Sequence, residues 1–199
     1  MMKTLLSLAT VGLVLGLASC QKEEVEPADV VCKFPVTTIC SDGTYVARDV
    51  LVGMREASTL PQTFQLFNSN AFVIKSVMGP LYISSLPADS IDYVVRELNR
   101  KAYINSGAWK AVKDGNVYLH YQTRALTVIP RLLDMTVANQ QDWAATVQRL
   151  QLQEQPTMVK SCYLNVPLCS EKYWVSQLQP NPLVKWAQLN NIIRIQPGG

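Results

Sequence analysis

Apolar positions along residues 45–195 alternate in some stretches and recur at helical spacing in others, and the resulting order of elements occurs twice. Tyr45 to Met54, with Val46, Val50, Leu51 and Val52, predicts a strand. Ser58-Thr59-Leu60-Pro61 predicts a helix start with proline in the first turn. Leu60, Phe64 and Phe67 then fall on one helical face. Ala71 to Val77 predicts a strand with Phe72 and Ile74 on one side and Val73 and Val77 on the other. Met78-Gly79-Pro80 turns or bulges the chain, and Leu81 to Leu86 predicts the next strand. Asp89, with Asp92 three residues on, predicts a capping box, and Ile91, Val94, Val95 and Leu98 the buried stripe behind it. Tyr103 to Val112 and Val117 to Tyr121 predict two strands about the turn Lys113-Asp114-Gly115-Asn116.

The second run repeats the plan. Leu126 to Ile129 predicts a strand, and Asn139 to Leu152 a helix with Trp143, Val147 and Leu150 on one face. Met158 to Cys162 and Tyr163 to Leu168 predict two strands. Ser170 predicts the cap of a helix burying Trp174 and Leu178. Leu183 to Leu189 reads as extended, and Ile192 to Ile195 as a closing strand. Strand, helix, strand, strand, helix, strand is the split β-α-β order of a ferredoxin-like sandwich. The expected class is therefore α+β: two tandem ferredoxin-like units, residues 45–122 and 123–199, each one sheet covered on one face by two helices.

The first 44 residues follow a different logic. Lys3 precedes an apolar run from Leu5 to Leu17, too short to span a bilayer, which ends at Leu17-Ala18-Ser19-Cys20. This ending resembles the lipobox of bacterial lipoproteins. The resemblance implies a signal peptide over residues 1–19, cleavage before Cys20, and lipidation of Cys20 that holds the chain to a membrane. Residues 20–44 then read as an acidic tether and a small loop closed by Cys32 and Cys40. Lys22-Glu23-Glu24 also resembles the export signal of surface-displayed outer-membrane lipoproteins, which implies a surface-exposed protein of the cell envelope.

A second resemblance lies in the folded part. Asp49-Val50-Leu51-Val52-Gly53-Met54, the following helix, Val73-Ile74-Lys75-Ser76, Leu81-Tyr82-Ile83 and the helix from Asp89 are similar to the N-terminal prodomains of subtilisin-like peptidases. Asn181-Pro182-Leu183-Val184-Lys185-Trp186-Ala187 resembles the finish of such domains. Ala102-Tyr103-Ile104-Asn105-Ser106-Gly107, in the first run, departs from it. No catalytic domain follows, so the resemblance implies an inhibitor or folding partner acting in trans on a secreted peptidase. It would use an open sheet face and an extended tail. That tail is Gln196-Pro197-Gly198-Gly199, a cleft plug or a disordered end.

Charge and composition narrow the function further. The net charge of +3 is too weak to argue for nucleic acid. Setting Cys20 aside, Cys32, Cys40, Cys162 and Cys169 form an even set in an exported chain, which reads as disulfides rather than a zinc site. Three pairings are possible, and the expected ones are the local pairs Cys32–Cys40 and Cys162–Cys169. The single histidine, His120, lies in a strand without a nucleophile motif, and no phosphate-binding glycine loop, calcium loop or metal motif is present. No cofactor and no catalysis are expected. Trp143 and Trp174 fall on helical stripes and belong to the core. Trp109, Tyr118 and Trp186 fall on predicted strands and are the candidates for a surface platform, with Gln196 and Pro197 in the tail. The alternative to a peptidase partner is an adhesive or structural surface lipoprotein that binds a glycan or another extracellular protein through such a platform.

Overall fold

In the computed structural model, which describes residues 43–105 and 109–192, β1 (Tyr45–Met54) is hydrogen-bonded on both sides within a five-stranded antiparallel sheet. Its neighbours are β8 (Ser161–Asn165) and β9 (Val184–Asn191). β2 (Val73–Met78) pairs with the far side of β8, and β6 (Leu132–Leu133) adds a short edge, so the order is β6-β2-β8-β1-β9. A second antiparallel sheet holds β3 (Leu81–Ser84), β4 (Val117–Leu119), β5 (Leu126–Val128) and β7 (Leu152–Gln155) in the order β4-β5-β3-β7. Four helices complete a mixed α+β architecture. α1 (Leu60–Ser69) joins β1 to β2, and α2 (Ile91–Asn99) joins β3 to β4. α3 (Val137–Arg149) joins β6 to β7, and α4 (Glu171–Leu178) joins β8 to β9.

This pairing corrects the expectation of two sequential units divided at residue 122. Each sheet takes strands from both stretches: β1 and β2 sit with β8 and β9, while β3 and β4 sit with β5 and β7. All the described residues belong to one compact unit spanning 33–199. A ribbon explains how this is achieved. β2 runs through Gly79-Pro80 into β3, and β7 runs through residues 156–160 into β8. Because β2 pairs with β8 and β3 pairs with β7, the two long strands stay partnered from one sheet into the other. At the crossing Gly79 has φ 88°, and a Cβ there would lie 2.7 Å from the Val159 carbonyl oxygen. Only glycine meets both demands.

Local chemistry sets the elements. At the start of α1 the Gln62 N–H donates to Thr59 Oγ1 at 3.3 Å and the Thr59 N–H to Gln62 Oε1 at 2.8 Å, a closed capping box. Leu60, Phe64 and Phe67 are buried as their spacing requires. In β2 a bulge between Ile74 and Ser76 breaks the simple alternation. Val77 is buried rather than sharing a face with the exposed Val73. The capping box expected from Asp89 and Asp92 does not form. A 3₁₀ turn, Ala88–Ser90, precedes α2, and Asp92 pairs instead with Lys113 Nζ at 3.1 Å. Residues 101–104 form a turn and Trp109 makes an isolated bridge, so no strand forms among the described residues of 103–112. Leu152 opens β7 rather than closing α3, and one strand, Ser161–Asn165, replaces the two expected over 158–168. Ser170 precedes α4 but makes no side-chain cap, since its hydroxyl donates to the Pro167 carbonyl at 2.6 Å. The expected closing strand falls on Ile192, which lies past the end of β9, and on 193–195, outside the described residues.

The core is continuous across both sheets. Val50, Val52 and Met54 of β1 and Ile74 and Val77 of β2 join Leu126 and Val128 of β5, Leu98, Trp143 and Leu164. Trp143 meets Tyr82 and Tyr103 edge-on, with ring centroids 5.5 and 6.5 Å apart, and Phe72 meets Trp174 in a T at 4.6 Å. Burial of an aromatic of this size contributes a few kcal/mol, and truncating one costs about 3–5 kcal/mol.

Candidate functional site

The register assigns the residues of the five-stranded sheet to two faces. Val50, Val52, Cys162, Leu164 and Ala187 face the core. The register places Leu51, Tyr163 and Gln188 in one row of the opposite face, and Met78, Ser161, Gly53 and Trp186 in another. Apart from the buried Asp49 and Ser76, the side chains of this face are half-buried or exposed, with Val73 59% and Met78 42% exposed. Trp186 lies flat over Gly53, where a Cβ would come within 2.2 Å of the indole. The glycine therefore provides the seat for the ring.

One acid is sunk into this face. Asp49 is 2% exposed and gathers three partners. The Tyr163 hydroxyl donates to Oδ2, Asn190 Nδ2 donates to Oδ2 at 3.2 Å, and Lys75 Nζ stands 3.4 Å from Oδ1. Lys75 Nζ also lies 5.0 Å from the centroid of the Tyr163 ring. Burial, and then the bond to Asp49, pushes the Tyr163 hydroxyl up to about 12, so it stays a donor at neutral pH. Two irregularities frame the cluster: Arg48, at φ 67° beside a register shift in β1, and the bulge at Lys75 in β2. Such bulges re-aim side chains. Every partner of Asp49 is a hydrogen-bond donor, so the cluster is a rigid, satisfied polar network that holds Lys75 and Tyr163 in place on the face.

The four-stranded sheet presents a different face. Leu81, Ile83, Thr127 and Tyr118 surround a cleft of about 240 Å³ that also takes in His120, Thr123 and Gln155. His120 Nδ1 accepts from the Thr123 N–H at 3.3 Å, and its ring stacks on Tyr121 at 5.0 Å. Among the described residues no acid joins His120 to a hydroxyl, so no nucleophile relay is assembled there. None of them form a group of three or more His, Cys, Asp or Glu placed to hold a metal ion.

The sequence-derived candidates are therefore scattered rather than convergent. Trp186 sits on the face of the five-stranded sheet and Tyr118 in the cleft of the four-stranded one. Trp109 stands apart, 52% exposed, with the Arg131 guanidinium 4.2 Å from its ring centroid. Cys162 corrects one expectation. It is a free thiol buried on the core side of β8, so it is not paired with Cys169. Burial pushes the Cys162 thiol up to about 12. Cys20, Cys32, Cys40, Gln196 and Pro197 lie outside the described residues.

The polar network of Asp49, Lys75, Tyr163 and Asn190 went unnoticed in the sequence. Its available signal was a carboxylate directly before the apolar run Val50-Leu51-Val52, a place where a charge must find partners or stay in water. No family model, curated protein or solved structure matches the chain. Among the described residues no helix is long and apolar enough to cross a membrane.

Proposed function

We propose that this chain is a lipid-anchored, surface-displayed binding protein without catalytic activity, and that its working surface is the exposed face of the five-stranded sheet. The first partner we assign to it is a secreted subtilisin-like peptidase, which it would inhibit or help to fold. The observation that carries the reading is that face itself. Exposed Val73 and Met78, half-buried Leu51 and Trp186, and a fixed Lys75–Tyr163 pair over a buried carboxylate make a preformed, partly apolar surface suited to a folded partner. The strand order supports a finer reading of the fold. β2-β8-β1-β9, with α1 and α4 as its crossovers, is the order of a ferredoxin-like sandwich, and β4-β5-β3-β7 with α2 and α3 repeats it. On this reading the two units are nested, the second inserted between β2 and β8 of the first.

The test is inhibition of a panel of subtilisin-like peptidases by the chain lacking residues 1–19. The expected result is inhibition that falls at least tenfold in Val73→Glu and in Met78→Glu with unchanged thermal unfolding. Absence of inhibition across the panel removes the peptidase partner. A second reading, glycan adhesion, draws on Trp109, whose exposed ring is stacked by Arg131 with no ion pair to that guanidinium among the described residues. It expects binding to immobilised acidic glycans that Trp109→Ala abolishes while the fold persists.

A further inference from the structure

On the helical side of the molecule, α1 and α3 stand apart and leave a groove of about 540 Å³, a size suited to small organic ligands. Its walls are mostly apolar, with Leu60, Pro61 and Phe64 on one helix and Val137, Ala144 and Val147 on the other, beside glutamines of α3. Tyr82 and Trp143 form the floor and are joined, Trp143 Nε1 donating to the Tyr82 hydroxyl at 3.3 Å. The spacing of the helices is fixed by a reciprocal amide pair. Asn68 Nδ2 donates to Gln140 Oε1 at 2.8 Å, and Gln140 Nε2 donates to Asn68 Oδ1 at 3.2 Å. The groove is therefore preformed rather than opened by its occupant.

A single charged residue, Glu154, reaches the groove, and its surroundings decide what the groove accepts. The Leu60 N–H donates to Oε2 at 2.8 Å, and Lys160 Nζ lies 3.0 Å from Oε1. Lys160 is 1% exposed, and the first turn of α1 adds its partial positive charge. The carboxylate is thus already balanced. An ammonium ligand would find no uncompensated charge, and a carboxylate ligand would face Glu154 directly. A neutral hydroxyl can donate to a remaining lone pair of the carboxylate without unbalancing the pair.

We infer that the α1–α3 groove binds an uncharged amphiphile, an aliphatic chain ending in a hydroxyl, with the hydroxyl on Glu154 and the chain along the apolar walls. This site is separate from the sheet face proposed above and from its partner. The test is calorimetric titration of the chain lacking residues 1–19 with 1-octanol, octanoate and octylammonium, which share a chain and differ only in the head. The expected result is that 1-octanol binds at least tenfold more tightly than either ion. Ala144→Phe, at an exposed position on the groove wall, should weaken it at least tenfold without lowering the thermal midpoint. Val137→Trp, at the other end of the wall, should do the same. Equal affinity for the three heads, no binding of 1-octanol, or octanol binding unaffected by both substitutions would each overturn the inference.

Discussion

β1 of the five-stranded sheet is ten residues long and bonded along both edges, whereas the four-stranded sheet is built from strands of three or four residues. Four strands of the long sheet, β2-β8-β1-β9, follow the order of β4-β5-β3-β7, yet the two sheets differ in what their exposed faces carry. The long sheet holds aromatics and a buried acid with a lysine, and the short one holds threonines, a tyrosine and the lone histidine. Length accounts for part of this difference. A long strand paired on both sides can keep an acid 2% exposed, because neighbouring strands bring donors to it from both directions. The short sheet fixes its polar groups singly, Ser84 on the Leu150 carbonyl and Glu154 on Lys160, rather than in a network shared by several strands. The short sheet is tied to the long one by the ribbon, the common core, and the contacts that Glu154 makes across to α1.

That connection can be broken most sharply at Glu154. Glu154→Ala leaves the Lys160 ammonium buried without its carboxylate and frees the Leu60 N–H. The expected loss is about 3–5 kcal/mol in denaturant unfolding, whereas Glu154→Leu combined with Lys160→Met should recover most of it. A loss under about 1 kcal/mol for the single substitution would show that the pair does not join the sheets energetically. Next in size is Gly79→Ala, which places a side chain at φ 88° against the Val159 carbonyl. About 2–3 kcal/mol is expected from the strained backbone and the clash. Unfolding monitored by tryptophan fluorescence and by far-ultraviolet circular dichroism should remain a single coincident transition, because the ribbon makes the sheets one cooperative body. Two separated transitions would mean that each sheet melts alone.

The smallest effect is expected at Asp142 on α3. Lys101 Nζ at 2.8 Å, and then the Tyr103 hydroxyl at 2.6 Å, hold the Asp142 carboxyl below its usual range. A carboxylate whose pKa is lowered by folding contributes stability above the unfolded value of about 3.9, and loses it as pH falls through the lower folded value. The side chain is 45% exposed, so solvent screening keeps the contribution under about 1 kcal/mol. Asp142→Asn should flatten the acid limb of the stability curve below about pH 4 and leave the neutral region nearly unchanged. An acid limb as steep as that of the parent chain would assign the loss to other groups.

The helices and the longest strand were legible in the chain, but the short strands β6 and β7 and the pairing of strands were not. Leu60, Phe64 and Phe67 announce a helical face, and Tyr45–Met54 a strand, because periodicity is written locally. Nothing local in Val73–Met78 says that its partner is Ser161–Asn165 rather than Leu81–Ser84, since a strand's pattern names the buried face and not the neighbour. The exchange of strands between the two runs depends on contacts about 90 residues apart along the chain. The bulge at Lys75 hid the face of Val77. The cysteine count suggested a local bridge because it ignored that Cys162 alternates with Tyr163 and so points into the core. Of the candidate surface, Trp186 and Tyr118 could be found by their aromatic character. Asp49 and Lys75 acquire meaning only when Tyr163 and Asn190 arrive from the other end of the chain.

The position of β1 between β8 and β9 dictates an order of assembly. The first described strand to leave a ribosome or a translocation pore has both of its edges vacant until more than a hundred further residues have followed. Nascent chains halted before Ser161 would therefore lack both partners of β1 and half of the ribbon, and the eight-residue β9 would be the latch that ends the process.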